Sequence, residues 1–169
     1  MSGSDYIIRP EAPSDYRAAE ELTREAFWNV YRPGCTEHYV LHCFREREEF
    51  VPELDLVMEK DGKLIGHIMY ARAEIQADDG RKIPILAFGP ISIAPEYQRK
   101  GYGKILLDDS MKKAADLGAG AICIEGNPDF YGKSGFVTAS TKGIHYFAEP
   151  REAEVPYFLV RELKEGYLN

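Results

Sequence analysis

Between Leu54 and Ala94 apolar residues recur at the period of a β-strand, and two turn signals cut the run. "LDLVMEK" ends at Asp61-Gly62, "KLIGHIMYARAEIQA" ends at Asp78-Asp79-Gly80, and "KIPILAFGPISIA" stops at Ala94-Pro95. Asp-Gly suits turns whose residues take positive φ, so each break predicts a reversal and the three segments predict consecutive antiparallel strands. The flanking sequence supplies helices to cover them. "DYIIRP" reads as a short strand stopped by Pro10, and Ser14 can cap a helix running to about Trp28 with Ala18, Ala19, Leu22 and Ala26 at helical spacing. A second helix over 36–50 would set Tyr39, Val40, Cys43 and Phe44 on its covered side. After Pro95 come a helix over 101–117, a buried-looking strand "AICIE", a short helix around "PDFYGKSG", and two last strands near "FVTAS" and "VPYFLVREL".

The order is mixed α and β, and 169 residues with 44% hydrophobic content suffice for one globular domain over 1–169. Lys and Arg total 21 against 28 Asp and Glu, so the net charge of -7 repels a phosphate backbone and argues against nucleic acid as a partner. Cys35, Cys43 and Cys123 form no CxxC pair, as expected of a reduced, cytoplasmic protein. "MSGSDYIIRP" has no leader pattern, and no apolar run approaches a membrane span, so no membrane partner is expected.

The stretch "APEYQRKGYGKILLDDSMKKA" is locally basic within this acidic chain. It sets Gly101 and Gly103 at a predicted helix start, where unpaired N–H groups and the positive end of the helix dipole bind anions. Glycine lets phosphate oxygens approach the backbone, and Arg99, Lys100 and Lys104 add charge. The loop lacks the first glycine and the hydroxyl of a P-loop, and Leu106 stands where a dinucleotide fingerprint needs its third glycine. ATP and NAD are therefore disfavoured.

What remains is Gln98-x-x-Gly101-x-Gly103, and with it the sequence resembles the GNAT superfamily of N-acetyltransferases, whose signature Q/R-x-x-G-x-G/A joins the fourth strand to the third helix. "IRPEAPSDYRAAEELTREAF" is similar to the family's opening strand and helix, "NPDFYGKSGF" to its segment after the fifth strand, and "YFLVREL" to its last strand. The resemblance covers about residues 6–137 and implies an α+β fold with a mixed, mostly antiparallel sheet of about six to seven strands and about four helices. It implies acetyl-CoA as cofactor, with the pyrophosphate on Gln98, Arg99, Lys100, Gly101, Tyr102, Gly103 and Lys104. The pantetheine arm would run along Ile91, Ser92 and Ile93 and reach Asn127 and Phe130. Fourth and fifth strands splay in this family, and Gly89-Pro90 fits an interrupted ladder that frees backbone groups, although a simple bend at a strand edge fits as well.

Tyr131 matches the family tyrosine that protonates the departing thiolate, and an ordinary core tyrosine beside Phe130 and Phe136 is the other reading. A lysine-like amine of pKa ~10.4 is mostly charged at pH 7, which costs about 4.6 kcal/mol unless a base or a dry pocket helps. A thiolate of pKa ~8.5 needs only about 2 kcal/mol of help, so the acid is the more dispensable group. Glu125 is the candidate base, if partial burial between splayed strands raises its pKa. His67 titrates in a suitable range, but a lone strand histidine is more often a packed or surface residue, and Ser92 reads as a mere contact. Asn127 has a second reading as a helix cap before Pro128.

His38 and His42 share a helix face but lack the Glu of H-E-x-x-H, and with Arg45, Glu46 and Glu49 they read as a solvated face; no metal is expected. The resemblance implies an acceptor amine on a small molecule or peptide. Trp28, Tyr31, Tyr146 and Phe147 are candidates for its wall, and Glu149, Glu152 and Glu154 for attracting a cation. An acyl-CoA-binding sensor of the same fold, without useful turnover, is the alternative, and a homodimer stays open.

Overall fold

The computed structural model describes residues 6–28, 34–35, 37–142, 144 and 156–168. Among these residues seven strands and four α-helices follow in the order β1 (Tyr6–Pro10), α1 (Tyr16–Phe27), α2 (Glu37–Phe44), β2 (Phe50–Lys60), β3 (Lys63–Gln76), β4 (Lys82–Ile93), α3 (Tyr102–Asp116), β5 (Ala121–Glu125), α4 (Pro128–Tyr131), β6 (Val137–Thr138) and β7 (Phe158–Glu162). They form two compact units, one of residues 1–71 with 89–113 and one of residues 72–88 with 114–169.

In the first unit the strand order is β1-β2-β3-β4. The β2–β3 reversal is tight because Asp61 and Gly62 both take positive φ, 52° and 77°. Pro52 has no N–H to give the ladder, and the β2–β3 register shifts between Phe50 and Asp55. Alternation along β3 divides its side chains between two covers. Tyr70 points to α3, its hydroxyl 2.8 Å from Ser110 Oγ, and Gly66 lies under Leu106. Met69, on the other parity, packs with Ala19 of α1 and Leu41 of α2.

Two helix expectations change. Ser14 falls inside a 3-10 turn over Pro13–Asp15, and Asp15 takes the junction instead, accepting from Ala12 N–H at 2.8 Å and from Arg9 Nη1 at 2.7 Å. The second helix stops at Phe44 and buries Leu41, whereas Tyr39, Val40 and Cys43 face outward. Arg45 follows at once and is not on a solvated face: its side chain is only 7% exposed. It forks onto Glu11 through Nε and Nη2, both 2.9 Å, reaches Glu20 through Nη1 at 2.5 Å, and lies 4.0 Å over the Tyr16 ring.

In the second unit the order is β3-β4-β5-β7-β6. β5 runs parallel to β4, in register at Leu86–Ile122, and pairs antiparallel with β7 over all five residues, Ala121–Glu162 through Glu125–Phe158. Ile85, Ala121, Cys123, Ala139, Ile144 and Val160 form the core of this unit. Tyr167 closes it: its ring lies where a Cβ on Gly120 would stand, with Cδ1 at 2.2 Å, and its hydroxyl donates to Pro84 O at 2.5 Å.

Gly66 offers the sharpest test of packing in the first unit, because a Cβ there would sit 3.0 Å from Ile93 Cδ1, 3.2 Å from Met58 Cβ and 3.3 Å from Leu106 Cδ2. Gly66→Val is expected to destabilise by roughly 1–3 kcal/mol, the cost of overpacking a tight core; an unchanged urea midpoint would contradict the packing described.

Candidate active site

The loop between β4 and α3 belongs to the first unit. Ala94 N–H donates to Ile65 O at 2.8 Å and pins the end of β4, after which Pro95–Tyr97 turn once as a 3-10 helix. Gln98 Nε2 reaches back to Ile93 O at 2.9 Å, closing the loop from inside. Arg99 takes φ 62° and Gly101 φ 90°, so the backbone reverses twice before α3 starts. The first α3 bond runs from Ile105 N–H to Gly101 O at 3.2 Å, which puts the amides of Tyr102, Gly103 and Lys104 ahead of the helical ladder. Apart from its chain neighbours, nothing among the described residues lies within 4 Å of where a Cβ on Gly101 would be. These amides form an open anion cradle at the start of a 15-residue helix.

Charge at the cradle differs from the sequence expectation. Lys104 Nζ is held by Asp108 at 2.6 Å, one helical turn on, so Arg99 and Lys100 carry the free positive charge. Lys100 lies 5.9 Å from the Tyr97 ring centroid, and Tyr102 packs edge-on against Tyr97 and Tyr6. Ile91 and Ile93 are half-buried on β4, while Ser92 is buried with its hydroxyl 3.2 Å from Thr23 Oγ1 on α1. Any contact of Ser92 with a ligand is therefore left to its backbone.

Glu125, Asn127, Phe130 and Tyr131 come together in the second unit. Asn127 is the cap: its Oδ1 accepts from Asp129 N–H at 2.9 Å, and Pro128 occupies the first helical position. The Tyr131 ring is boxed by Phe88 and Phe136, both with centroids at 5.8 Å, and by Phe130 at 4.9 Å. It also lies against Gly126, where a Cβ would stand 2.3 Å from Cε2. Phe88, the wall from β4, carries no motif, and only the parity of β4 side chains hints at it. Glu125 ends β5 exposed to solvent, so the burial expected of it is absent. The β5 edge opens on a cavity of about 950 Å³ lined by Ile85, Phe88, Cys123, Glu125, Ile144 and Phe158, among others. Burial pushes the Cys123 thiol up to about 12, which keeps it protonated and unsuited to carrying an acyl group.

His67 is neither exposed nor alone. It is fully buried in the first unit, Nε2 2.7 Å from Asp55 Oδ1 and 3.7 Å from Glu11 Oε2. Nothing among the described residues pairs with Nδ1. An imidazolium would bury an unmatched N–H there, so the neutral ring with its proton on Nε2 fits best. Burial accordingly lowers His67 to about 4. Burial and the neighbouring Asp55 carboxyl raise Glu11 to about 7, against the pull of Arg45. Glu11, Asp55 and His67 are the one trio of potential metal donors among the described residues, all within 4.8 Å, but the guanidinium forked onto Glu11 opposes a second cation. His38 and His42 go elsewhere, 3.5 Å from Cys35 Sγ and 3.1 Å from Glu20 Oε2. Trp28 is 47% exposed under the Arg24 guanidinium. Tyr31, Tyr146, Phe147, Glu149, Glu152 and Glu154 lie outside the described residues. Among those residues, no helix is long and apolar enough to cross a membrane.

The acetyltransferase (GNAT) family profile matches residues 21–136. The uncharacterized N-acetyltransferase YjhQ of Escherichia coli (strain K12) is 32% identical over 92 residues, 54% of this chain and 50% of that protein, so the match spans about half of its length. The fold is similar to that of a GNAT family N-acetyltransferase, YhbS, from Escherichia coli, solved in complex with CoA, with TM-score 0.82 and 22% identity over 98% of this chain and 85% of that one. It is also similar to a GNAT family acetyltransferase from Brucella melitensis, solved with acetyl-CoA, with TM-score 0.73 and 24% identity over 93% and 87% of the two chains.

The buried trio makes a pH prediction. His67 has a folded pKa below its unfolded value, so its contribution is lost as pH falls from about 6.5 to 4; Glu11 has one above, so its contribution is lost as pH rises from about 4.5 to 7. The two slopes oppose each other, so these two groups together add little pH dependence between pH 5 and 6.5. Glu11→Gln removes one of them: its stability should fall on acidification across this window by on the order of 1–2 kcal/mol. Denaturant melts at three pH values check this, and parallel wild-type and variant curves would refute it.

Proposed function

Because the chain belongs to the GNAT family of acetyltransferases, we propose that residues 1–169 act as one acetyl-CoA-dependent N-acetyltransferase domain that acetylates a primary amine. The open cradle of amides at Tyr102, Gly103 and Lys104, with Arg99 and Lys100 beside it, is the observation that carries this reading. It suits a pyrophosphate, since an anion there meets unpaired N–H groups, the helix dipole and no side-chain obstruction. Gln98 shapes the loop, and Ile91, Ser92 and Ile93 offer backbone groups to the pantetheine arm, with Asn127 and Phe130 as further contacts.

Acetyl-CoA supplies a thioester whose acetyl group moves from sulfur to nitrogen, forming a C–N bond as the C–S bond breaks. Tyr131 gives its phenolic proton to the leaving sulfur, and Glu125 takes a proton from the amine. The aromatic box fixes the direction of the Tyr131 ring, which favours positioned proton transfer over a freely rotating phenol. At the solvent-exposed end of β5 Glu125 stays within reach of water, so water can share in removing the amine proton.

Gly103→Glu should abolish acetyl-CoA binding in calorimetric titration, because it brings a carboxylate to the cradle; retained affinity would contradict the site. Tyr131→Phe should leave that affinity within about twofold and lower kcat by roughly 10²-fold, the usual scale of general-acid loss. Tight acetyl-CoA binding with no thiol release from any amine would favour the sensor alternative.

A further inference from the structure

The cavity of the second unit has a mismatched wall. Its floor is apolar, with Ile85, Cys123 and Ile144 each less than a tenth exposed and Phe158 beside them. Both of its cations are already answered: Arg81 Nε is 2.8 Å from Asp79, and Lys142 Nζ is 3.2 Å from Glu162. The other two lining carboxylates are engaged: Glu74 stands 3.9 Å from Lys82, and Asp78 has a partner of its own. The Glu125 side chain, opposite Phe158 in the β5–β7 ladder, has no ion pair or hydrogen bond among the described residues. The cavity also adjoins Tyr131 through two links. Phe88 lines it and packs on the Tyr131 ring, and Glu125 is followed directly by Gly126, on which that ring rests.

We propose that this cavity is the acceptor site and that it takes a monocationic primary amine on an apolar alkyl or arylalkyl body, the ammonium at Glu125 and the body over Ile85, Ile144 and Phe158. The inference rests on the transferase reading above and narrows its substrate. An apolar floor rewards methylene and aryl groups that leave water, while one uncompensated carboxylate rewards one cation. A carboxylate on the acceptor, as in a free amino acid, would meet Glu125 or Glu74 with both cations already paired. A polyamine would bring a second charge onto the apolar floor. The cavity volume lies at the upper end of small-ligand sites and admits such a body.

The test uses the full chain with acetyl-CoA and reads free thiol for four amines. Phenethylamine and hexylamine carry the required features, phenylalanine adds a carboxylate, and ethanolamine removes the apolar body. The first two should exceed the others at least tenfold in kcat/KM. Calorimetry of phenethylamine without acetyl-CoA should show binding, weakened at least fivefold by Glu125→Gln. Thiol release that is equal across the four amines overturns the inference and leaves the transferase reading standing. Glu125-dependent phenethylamine binding without thiol release from any amine supports the site and overturns the transferase reading. Absence of phenethylamine binding overturns the inference whatever the thiol assay gives.

Discussion

A buried guanidinium organises the first unit. Arg45 leaves the end of α2, turns inward, and ties the segment after β1 through Glu11 to α1 through Glu20 and Tyr16. A charge at 7% exposure would be expensive alone, so its partners must be in place before it can be buried. Glu11 also donates its backbone N–H to Asp55 O at 2.8 Å, and Asp55 in turn accepts from His67. One cation thus links β1, α1, α2, β2 and β3 into a chain in which each member needs the next. Removing a single partner strands a charge in an apolar setting, which is far worse than never having placed one there.

Proton placement follows from this arrangement. Burial favours the neutral ring of His67 and pulls Glu11 toward protonation, against the Arg45 guanidinium that holds it ionised. The cluster serves the scaffold, and the proposed chemistry uses groups of ordinary exposure: the cradle amides, Tyr131 and Glu125.

Local signals in the sequence predict the fold well. Asp61-Gly62, the strand alternation up to Ala94 and the glycines at 101 and 103 each act within a few residues, and the structure follows them. The short α2 misleads because apolar residues surround it: in eight residues Tyr39, Val40, Leu41, Cys43 and Phe44 fit more than one face, and Leu41 wins by meeting Ala19 and Met69. Partners such as Glu11 and Arg45, 34 positions apart, have no local pattern to announce them. A half-buried splay is the expectation for Glu125, yet at the β5 terminus, in the last pair with β7, its side chain reaches solvent. The aromatic box is half legible, since "FYGKSGF" contributes three of its rings and only folding brings in Phe88.

The Tyr167 closure bears on the order in which a nascent chain can mature. All residues of the first unit have been synthesised once Lys113 is added, whereas the second must wait for a ring more than fifty residues later to fill the space beside Gly120. Until then the β4 and β5 edges of that unit lack their last partner. A chain emerging from the ribosome thus holds one unit able to consolidate and another with apolar surface still uncovered, the condition under which partly made domains recruit chaperones or stick to one another.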